Sequence, residues 1–203
     1  MRVWHDAGST WGLQQGTTFA RDCHTMPLHG EDALVQKHSV SKRSRRQKGL
    51  LAFLAHDAET RVLCYANGPL RTEEHHDEML QFVASGAQRT GQVPQERLFD
   101  STLTTSANLN RLNQRHMQCI TVRRRSQQLL ATLTPMPASA WRRVERKNVA
   151  RAYRRPRVLD EHVHLDGYRG SLRQLTVADL GHEEPTGLLT NQMPCAPAAL
   201  IER

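Results

Sequence analysis

The amino-acid sequence predicts an α/β fold, with a mixed sheet, flanking helices and an inserted small antiparallel β unit. Three observations predict it. Two apolar segments, 49–55 and 61–66, are separated by a five-residue connection, which is typical of a β-hairpin. A helical stripe and two further strand-like segments follow within residues 72–122. Beyond residue 135 short alternating segments replace the helices, which favours an antiparallel sheet.

The N-terminal third combines weak and strong patterns. Residues 1–16 mix tryptophans, glycines and polar residues without a period, so they are interpreted as an irregular leader. Residues 17–24 predict a short strand with Asp22 and Arg21 on opposite faces. Residues 37–48 are a dense cationic run without apolar anchors, and a loop is predicted there.

The middle of the chain alternates helices and strands. A helix is predicted over about residues 72–91, because a threonine that can cap it precedes two glutamates and an apolar stripe. Residues 97–99 predict a strand that ends at Asp100. A helix over about 106–115 and a strand over 119–122 follow.

In the last third of the chain, short alternating segments replace the helical patterns, and the predicted domain boundaries follow this change. Short strands are expected at 153–158, 162–165, 172–177 and 188–191. The predicted divisions are a leader at 1–16, a core at 17–134, a β-rich insertion at 135–192, and the start of a C-terminal helix at 193–203.

Composition narrows the class of partner. With 203 residues, 38% of them apolar and 24% charged, the chain can bury one core plus an insertion. The net charge of +8 favours an anionic partner, nucleic acid first and a membrane surface second. Only four cations are lysine, and the planar arginine fork suits phosphate, although a coding bias explains the arginine excess equally well.

Cysteines and hydropathy limit the predicted location. The four cysteines are far apart with no C-x-x-C pair, and Cys64 and Cys119 lie in apolar runs, so buried free thiols in a reducing cytosol are predicted. The longest apolar run, residues 50–55, is too short to cross a bilayer, and the N-terminus has no signal-peptide pattern. We therefore expect a cytoplasmic protein that neither spans nor binds a membrane.

Two aspartates are the candidate catalytic residues. Asp22 lies near the end of the first predicted strand, and Asp100 ends a later one. The carboxyl ends of neighbouring strands in an α/β sheet form a crevice, where two carboxylates suit Mg²⁺ and phosphoryl transfer. The alternative is that each is a turn or capping residue, which is the commoner role at strand ends.

Four sequence segments resemble bacterial insertion-sequence transposases, which are DDE enzymes with a ribonuclease H-like catalytic core. The resemblance runs from about Asp22 to the C-terminus. Its segments are DCHTMPLHGED at 22–32, VSKRSRRQK at 40–48, LFDSTLTT at 98–105 and LLTNQ at 188–192.

The resemblance implies a metal-dependent DNA-cleaving and strand-transfer activity. Asp22 and Asp100 are then catalytic metal ligands for Mg²⁺ or Mn²⁺. The third acid of such enzymes is a helical glutamate in a Tyr-x-x-Arg-x-x-x-Glu pattern, which is absent from this sequence. Residues 197–203 resemble the opening of that helix, and Glu202 stands at the wrong position in the pattern. The chain is accordingly predicted to be a transposase fragment, truncated at both ends and nearly or wholly inactive.

Two arginine-rich clusters are the predicted DNA-binding residues. They are Lys42, Arg43, Arg45, Arg46 and Lys48 in the first cluster, and Arg123, Arg124 and Arg125 in the second. Both are expected to contact the DNA backbone without reading sequence. The alternative is a solvated charged surface. The same hypothesis extends this surface to Arg142, Arg143, Arg154, Arg155 and Arg157. The histidines at 162, 164 and 182 lack partners at zinc-site spacing and are expected to be solvated.

Two other functions stay open at this point. One is a non-catalytic DNA-binding fragment that interferes with intact transposase through mixed assembly or by occupying DNA. The other is the product of a decayed reading frame that does not fold stably. The expected partners are transposon ends and target DNA, with a homo-oligomer or mixed assembly and a bacterial, nucleoid-associated location.

Overall fold

The computed structural model describes residues 18–28, 35–40, 45–71, 75–90, 96–99, 105–147, 149–181 and 183–202. Within these ranges it has ten strands and four helices. The strands are β1 Thr18–Pro27, β2 Gln36–Val40, β3 Arg45–Asp57, β4 Leu63–Leu70, β5 Glu96–Phe99, β6 Gln118–Arg123, β7 Arg142–Arg143, β8 Arg157–Val163, β9 Leu172–Ala178 and β10 Thr186–Thr190. The helices are α1 His75–Thr90, α2 Ser106–Gln114, α3 Gln127–Leu133 and α4 Pro197–Ile201.

The chain divides into two compact units, Met1–Arg97 and Leu98–Arg203. The sequence analysis predicted a division at 134/135 instead, where short alternating segments replace the helices. That division stays a prediction. Every strand pair described within either unit is antiparallel. The α/β class is confirmed in this antiparallel form.

Strand β3 organises the first unit, because β1, β2 and β4 all pair with it. The β3–β4 connection is fixed by Asp57, whose buried carboxylate accepts hydrogen bonds from the amides of Glu59 (2.8 Å) and Thr60 (3.1 Å). This Asx-type turn allows Arg61 to adopt a positive φ of 59°. The predicted hairpin is confirmed, and both of its strands are longer than the apolar pattern indicated.

Helix α1 covers one face of these strands through aromatic contacts. The ring of Phe82 lies 5.7 Å from Phe19, 6.4 Å from Phe53 and 5.3 Å from Tyr65. Such edge-on packing stabilises the core beyond the apolar area that it buries. The helix also buries Glu78, whose carboxylate accepts hydrogen bonds from the Tyr65 hydroxyl and the side-chain amide of Asn67 on β4.

The loop predicted over residues 37–48 is wrong for most of its length. Residues 37–40 belong to β2 and residues 45–48 begin β3, with Lys37 paired to Lys48 and Val40 to Arg45. Residues 41–44 lie outside the described part of the chain. The sequence of the run has no apolar alternation, so the signal for its strands is the pairing of β2 with β3, which a sequence pattern does not show.

The second unit is built on a sheet in the order β6-β10-β9-β8-β7. Val158 and Leu159 are successive residues of β8 and therefore face opposite sides. Val158 packs in one cluster with Ile120, Leu175, Val177 and Leu200 of α4. Leu159 packs in another with Leu129 and Leu133 of α3. Helices therefore close both faces of the sheet.

The antiparallel β unit predicted beyond residue 135 is confirmed, with one correction. The segments predicted at 153–158 and 162–165 are not separate strands. Residues 157–163 form the single strand β8, and Arg151–Tyr153 form a 3₁₀ turn before it. The helices predicted at 72–91 and 106–115 correspond to α1 and α2, although Thr72 lies outside the described residues. Thr105 caps α2 by accepting a hydrogen bond from the Asn108 amide.

Cys64 and Cys119 are buried free thiols, as predicted. Burial raises the pKa of the Cys64 thiol to about 11. None of the helices in the described residues is long and apolar enough to cross a bilayer.

Candidate nucleic-acid interface and carboxylate site

Asp22 was predicted near the end of its strand, and this is wrong: β1 continues to Pro27 and Asp22 lies in its middle. Its side chain is exposed to solvent, and it is paired with Leu54 of β3. Its neighbour Arg21 is buried on the other face, with its guanidinium 5.4 Å from the centre of the Phe82 ring. Since α1 covers the Arg21 face, the Asp22 carboxylate lies on the face that α1 leaves open. His24, two residues further along the strand, is also exposed.

The second aspartate, Asp100, lies outside the described residues. Strand β5 ends at Phe99, immediately before it, so the predicted strand end is confirmed. The side-by-side arrangement of Asp22 and Asp100 stays a prediction.

The donor chemistry of these aspartates fits a hard cation such as Mg²⁺, which takes oxygen ligands. Across the described part of the chain, no three His, Cys, Asp or Glu residues form a group able to hold a metal ion.

In the sequence, the first basic cluster runs from the segment between β2 and β3 into the start of β3. Lys42 and Arg43 fall outside the described residues, while Arg45 and Arg46 are the first residues of β3. Lys48 is exposed. Its cross-strand neighbour is Lys37, so cations are repeated on both strands of the β2–β3 pair.

The second basic cluster does not present three equivalent cations. Arg123 is half-buried and donates a hydrogen bond to the Gln174 side chain. Burial lowers the pKa of Arg123, and the nearby Glu161 partly opposes this. Arg124 is exposed, whereas Arg125 forms an ion pair with Glu184 at 2.6 Å. The assignment of these three residues to DNA binding stays a prediction.

A cavity of about 470 Å³ lies beside Arg123. Its charged lining combines that arginine with Glu161 and Asp166, and His164 and Gln174 also line it. Carboxylates in the wall oppose the entry of a phosphate, so this cavity does not favour an anionic ligand.

Comparison with known proteins gives one kind of match. A scan against protein-family models finds none, and a search of the curated proteins finds none. Among solved structures, the chain is similar to the piggyBac transposase in a cryo-EM structure of its synaptic complex with hairpin DNA. The sequence identity is 9%, the TM-score is 0.54, and the match covers 92% of this chain and 36% of that chain.

The fold is transposase-like. At 9% identity the likeness concerns the fold alone, and the DNA belongs to the piggyBac complex. The chain spans about a third of the length of that transposase, 36% of it.

Glu202, the acid nearest to the expected third carboxylate of a transposase, has a structural partner. It ends α4, and its carboxylate accepts a hydrogen bond of 2.5 Å from the backbone amide of Lys147. His162 and His164 are exposed, as expected for solvated side chains. His182 lies outside the described residues.

Two anchoring residues were missed by the sequence analysis. Asn191, within the LLTNQ segment, accepts a hydrogen bond from the Cys119 amide (2.9 Å) and donates one to the Met117 carbonyl (2.8 Å). Arg173, inside the buried strand β9, binds the Asp160 carboxylate with two hydrogen bonds of 2.8 and 2.7 Å. The available signal for Arg173 was the one charged residue in a strand of otherwise uncharged residues, because a charge requires a partner when it is buried.

Proposed function

We propose that this chain is part of the catalytic core of a DDE-type transposase, which cleaves DNA and joins it to a target with the help of a divalent metal ion. The observation that carries the proposal is an exposed aspartate, Asp22, in the middle of β1 of a transposase-like fold. In this proposal the core is ribonuclease H-like, and Asp22 and Asp100 are the metal-binding carboxylates.

The element order supports the ribonuclease H-like reading. The order predicted from sequence for the core was strand, hairpin, helix, strand, helix and strand. The described residues contain it as β1, the β3–β4 hairpin, α1, β5, α2 and β6. The short strand β2 is an addition to that order.

Each part of the chain has a physical role in the proposed activity. When bound, Mg²⁺ or Mn²⁺ would activate water for attack on a phosphodiester and stabilise the charge that develops there. Asp22 and Asp100 would hold the ion. The arginines would bind phosphates and hold the DNA backbone in position without selecting its sequence.

A non-catalytic, DNA-binding role is the second candidate, and it shares the basic surfaces with the first. It is favoured because the carboxylate of Glu202, the acid nearest to the expected third ligand, is bound to the backbone amide of Lys147. A metal site that lacks one carboxylate binds its ion weakly and in altered geometry. The 203-residue polypeptide is therefore expected to bind DNA and to cut it slowly or not at all.

Metal binding separates the two candidates. Mn²⁺ affinity is measured by calorimetry for the unaltered chain, Asp22→Asn, Asp100→Asn and the control Asp166→Asn, whose side chain is exposed in the second unit. The proposal expects a roughly tenfold or greater loss of affinity in the first two variants and none in the control. DNA binding that persists in all variants, without saturable Mn²⁺ binding, would support the non-catalytic role.

A nicking assay on supercoiled DNA completes the test. The expected result is little or no metal-dependent turnover. Robust turnover that Asp100→Ala abolishes would show that two aspartates suffice and that the missing third acid was misjudged. Absence of DNA binding at low salt would contradict both candidates.

A further inference from the structure

A further concentration of positive charge lies in the second unit, in residues 141–157, beyond both predicted clusters in the sequence. Eight of the 17 residues in 141–157 are arginine or lysine, and one is glutamate. Strand β7 pairs with the start of β8, and the backbone bonds Val144 N to Pro156 O (3.1 Å) and Arg146 N to Arg154 O (2.8 Å) extend this pairing. We call residues 141–157 the arginine hairpin.

Most of its arginines are exposed and not neutralised. Arg142, Arg143, Arg154 and Arg155 are all exposed. Arg125, Arg157 and Arg173 each pair with a carboxylate, whereas in the part of the chain that the structure describes none of these four arginines does. The hairpin therefore keeps most of its positive charge facing solvent.

The hairpin also places like charges opposite each other. Arg143 and Arg157 are cross-strand neighbours, an arrangement that destabilises a sheet. Asp179 offsets it in part through hydrogen bonds of 2.8 and 3.0 Å from Arg157. These bonds, with a smaller contribution from Arg143, lower the pKa of Asp179. Asp179 and Glu145 are two carboxylates against the seven arginines and one lysine of the hairpin, which leaves an excess that an external anion would balance.

Both aromatic residues of the hairpin pack against other parts of the second unit instead of projecting freely to stack on bases, although 40% of Tyr153 stays exposed. Trp141 is half-buried against the Leu129 and Leu133 cluster, and the Arg157 guanidinium lies 5.7 Å from the centre of its ring. The ring of Tyr153 lies against Gly181, where even a methyl group would come within 2.7 Å of it. Sequence-independent binding to single strands depends on such stacking, whereas binding to duplex backbone does not.

We propose that the arginine hairpin is a docking surface for the phosphate backbone of duplex DNA, and that it binds without reading bases. Its paired strands extend about five residues from residue 142, or roughly 16 Å. That length matches about five phosphates of one DNA strand along the helix axis. The inference rests on the proposed function for the choice of DNA as the anion. It goes beyond the sequence-based extension of the DNA surface to arginines of 142–157 by naming a paired-strand hairpin, its exposed charges and duplex backbone as its ligand.

The test compares two double variants of the full chain. Arg154→Gln with Arg155→Gln removes two exposed charges from the hairpin. The control, Arg115→Gln with Arg169→Gln, removes two exposed charges from elsewhere in the second unit. Affinity for a duplex of random sequence is measured between 50 and 300 mM salt, and thermal unfolding verifies that both variants are folded.

The expected result is specific to the hairpin. Each lost phosphate contact reduces the slope of log affinity against log salt by about one, so the hairpin variant should lose about two in slope. Its affinity at 0.1 M salt should fall on the order of tenfold. The control should keep the slope of the unaltered chain. As a second measurement, amide hydrogen exchange in 142–157 should slow when DNA is added.

Several outcomes would overturn the inference. If the slope of log affinity against log salt falls equally in both double variants, the weaker DNA binding results from the lower net charge and not from the loss of this surface. If the hairpin variant self-associates while its DNA affinity is unchanged, the arginines protect the edge strand β7 from pairing with other chains. If the unaltered chain binds DNA and the hairpin variant binds equally well, this surface is excluded while the proposed function survives. Binding to anionic vesicles without binding to DNA would contradict both.

Discussion

Replacing Arg173 by alanine should destabilise the second unit by about 3 kcal/mol, because this side chain joins β8 to the segment before α4. Its guanidinium forms two hydrogen bonds with Asp160, of 2.8 and 2.7 Å. It also donates to the backbone carbonyls of Gln192, Met193 and Cys195. The pair with Asp160 raises the pKa of Arg173, so the side chain is charged at any pH that the fold tolerates.

The magnitude follows from burial. Removing one partner of a buried ion pair costs about 3 to 5 kcal/mol, because the remaining charge is left uncompensated. The Arg173 side chain is 8% exposed, but that of Asp160 is 31% exposed and can regain water, so the lower end applies. Lysine keeps the charge but loses the two-pronged geometry, and Arg173→Lys should cost roughly half as much.

Urea unfolding followed by circular dichroism measures the loss of stability, and hydrogen exchange locates it. The amide of Leu200 donates to the Ala196 carbonyl in α4, and Leu200 packs into the core of the second unit. In Arg173→Ala this amide should exchange faster than the amides of β9. An alanine variant within about 0.5 kcal/mol of the unaltered chain, with α4 equally protected, would refute the reasoning.

Three further predictions concern single contacts, and urea unfolding measures each. Asn191→Ala should cost about 2 kcal/mol by leaving the Cys119 amide and the Met117 carbonyl unpaired, and Asn191→Asp should restore only the first contact. Thr105→Ala should cost about 1 kcal/mol by removing the N-cap of α2, while Thr105→Ser should be neutral. Folding raises the pKa of the Cys64 thiol from 9.0 to about 11, so between these pH values the thiol ionises in the unfolded chain but not in the folded one. The contribution of the neutral thiol to the free energy of unfolding is therefore fully present below pH 9 and is lost as the pH rises to 11. Between pH 9 and 11 the unaltered chain should lose about 3 kcal/mol more free energy of unfolding than Cys64→Ala does. If the free energies of unfolding of the two proteins change equally with pH, the thiol is not buried as described.

Local periodicity carried most of the correct predictions. The β3–β4 hairpin, α1 and α2 each have a repeating apolar pattern with turn or capping residues at their ends, and these signals need no knowledge of distant contacts. Phe53, for example, lies within the predicted apolar segment 49–55 and is fully buried. The strand that ends at Phe99 was recognisable for the same reason.

The errors occurred where pairing with a neighbour determines the structure. Residues 45–48 are strongly cationic and have no apolar face, yet they continue β3 because β2 lies alongside. Likewise, the charged residues Asp160 and Glu161 obscured the continuity of β8, whose backbone is held by β9. Hydrogen bonds between strands stabilise such segments irrespective of their side-chain pattern, and a sequence window does not contain the partner strand.

The candidate carboxylate site was predictable only in part. The strand end before Asp100 and a strand around Asp22 were both predicted, but Asp22 was expected near the end of its strand and lies in its middle. The open face on which Asp22 lies does not follow from local pattern, because it depends on α1 covering the opposite face through Phe82. The same limit applies to Asn191, whose role depends on the pairing of β10 with β6.

The arginines show why a count of charges does not locate a binding surface. The net charge of +8 counts every arginine alike. In the folded chain, however, Arg125 forms an ion pair with Glu184, and Arg157 forms one with Asp179. Asp179 reaches Arg157 because β8 pairs with β9 in a register that sets Arg157 against Ala178. Each ion pair cancels one positive charge in the electrostatic potential of the protein. The remaining positive charge lies where the fold brings no carboxylate close to an arginine. The location of that excess, in the arginine hairpin, is therefore a property of strand register, and a register shift would move the surface without changing the sequence.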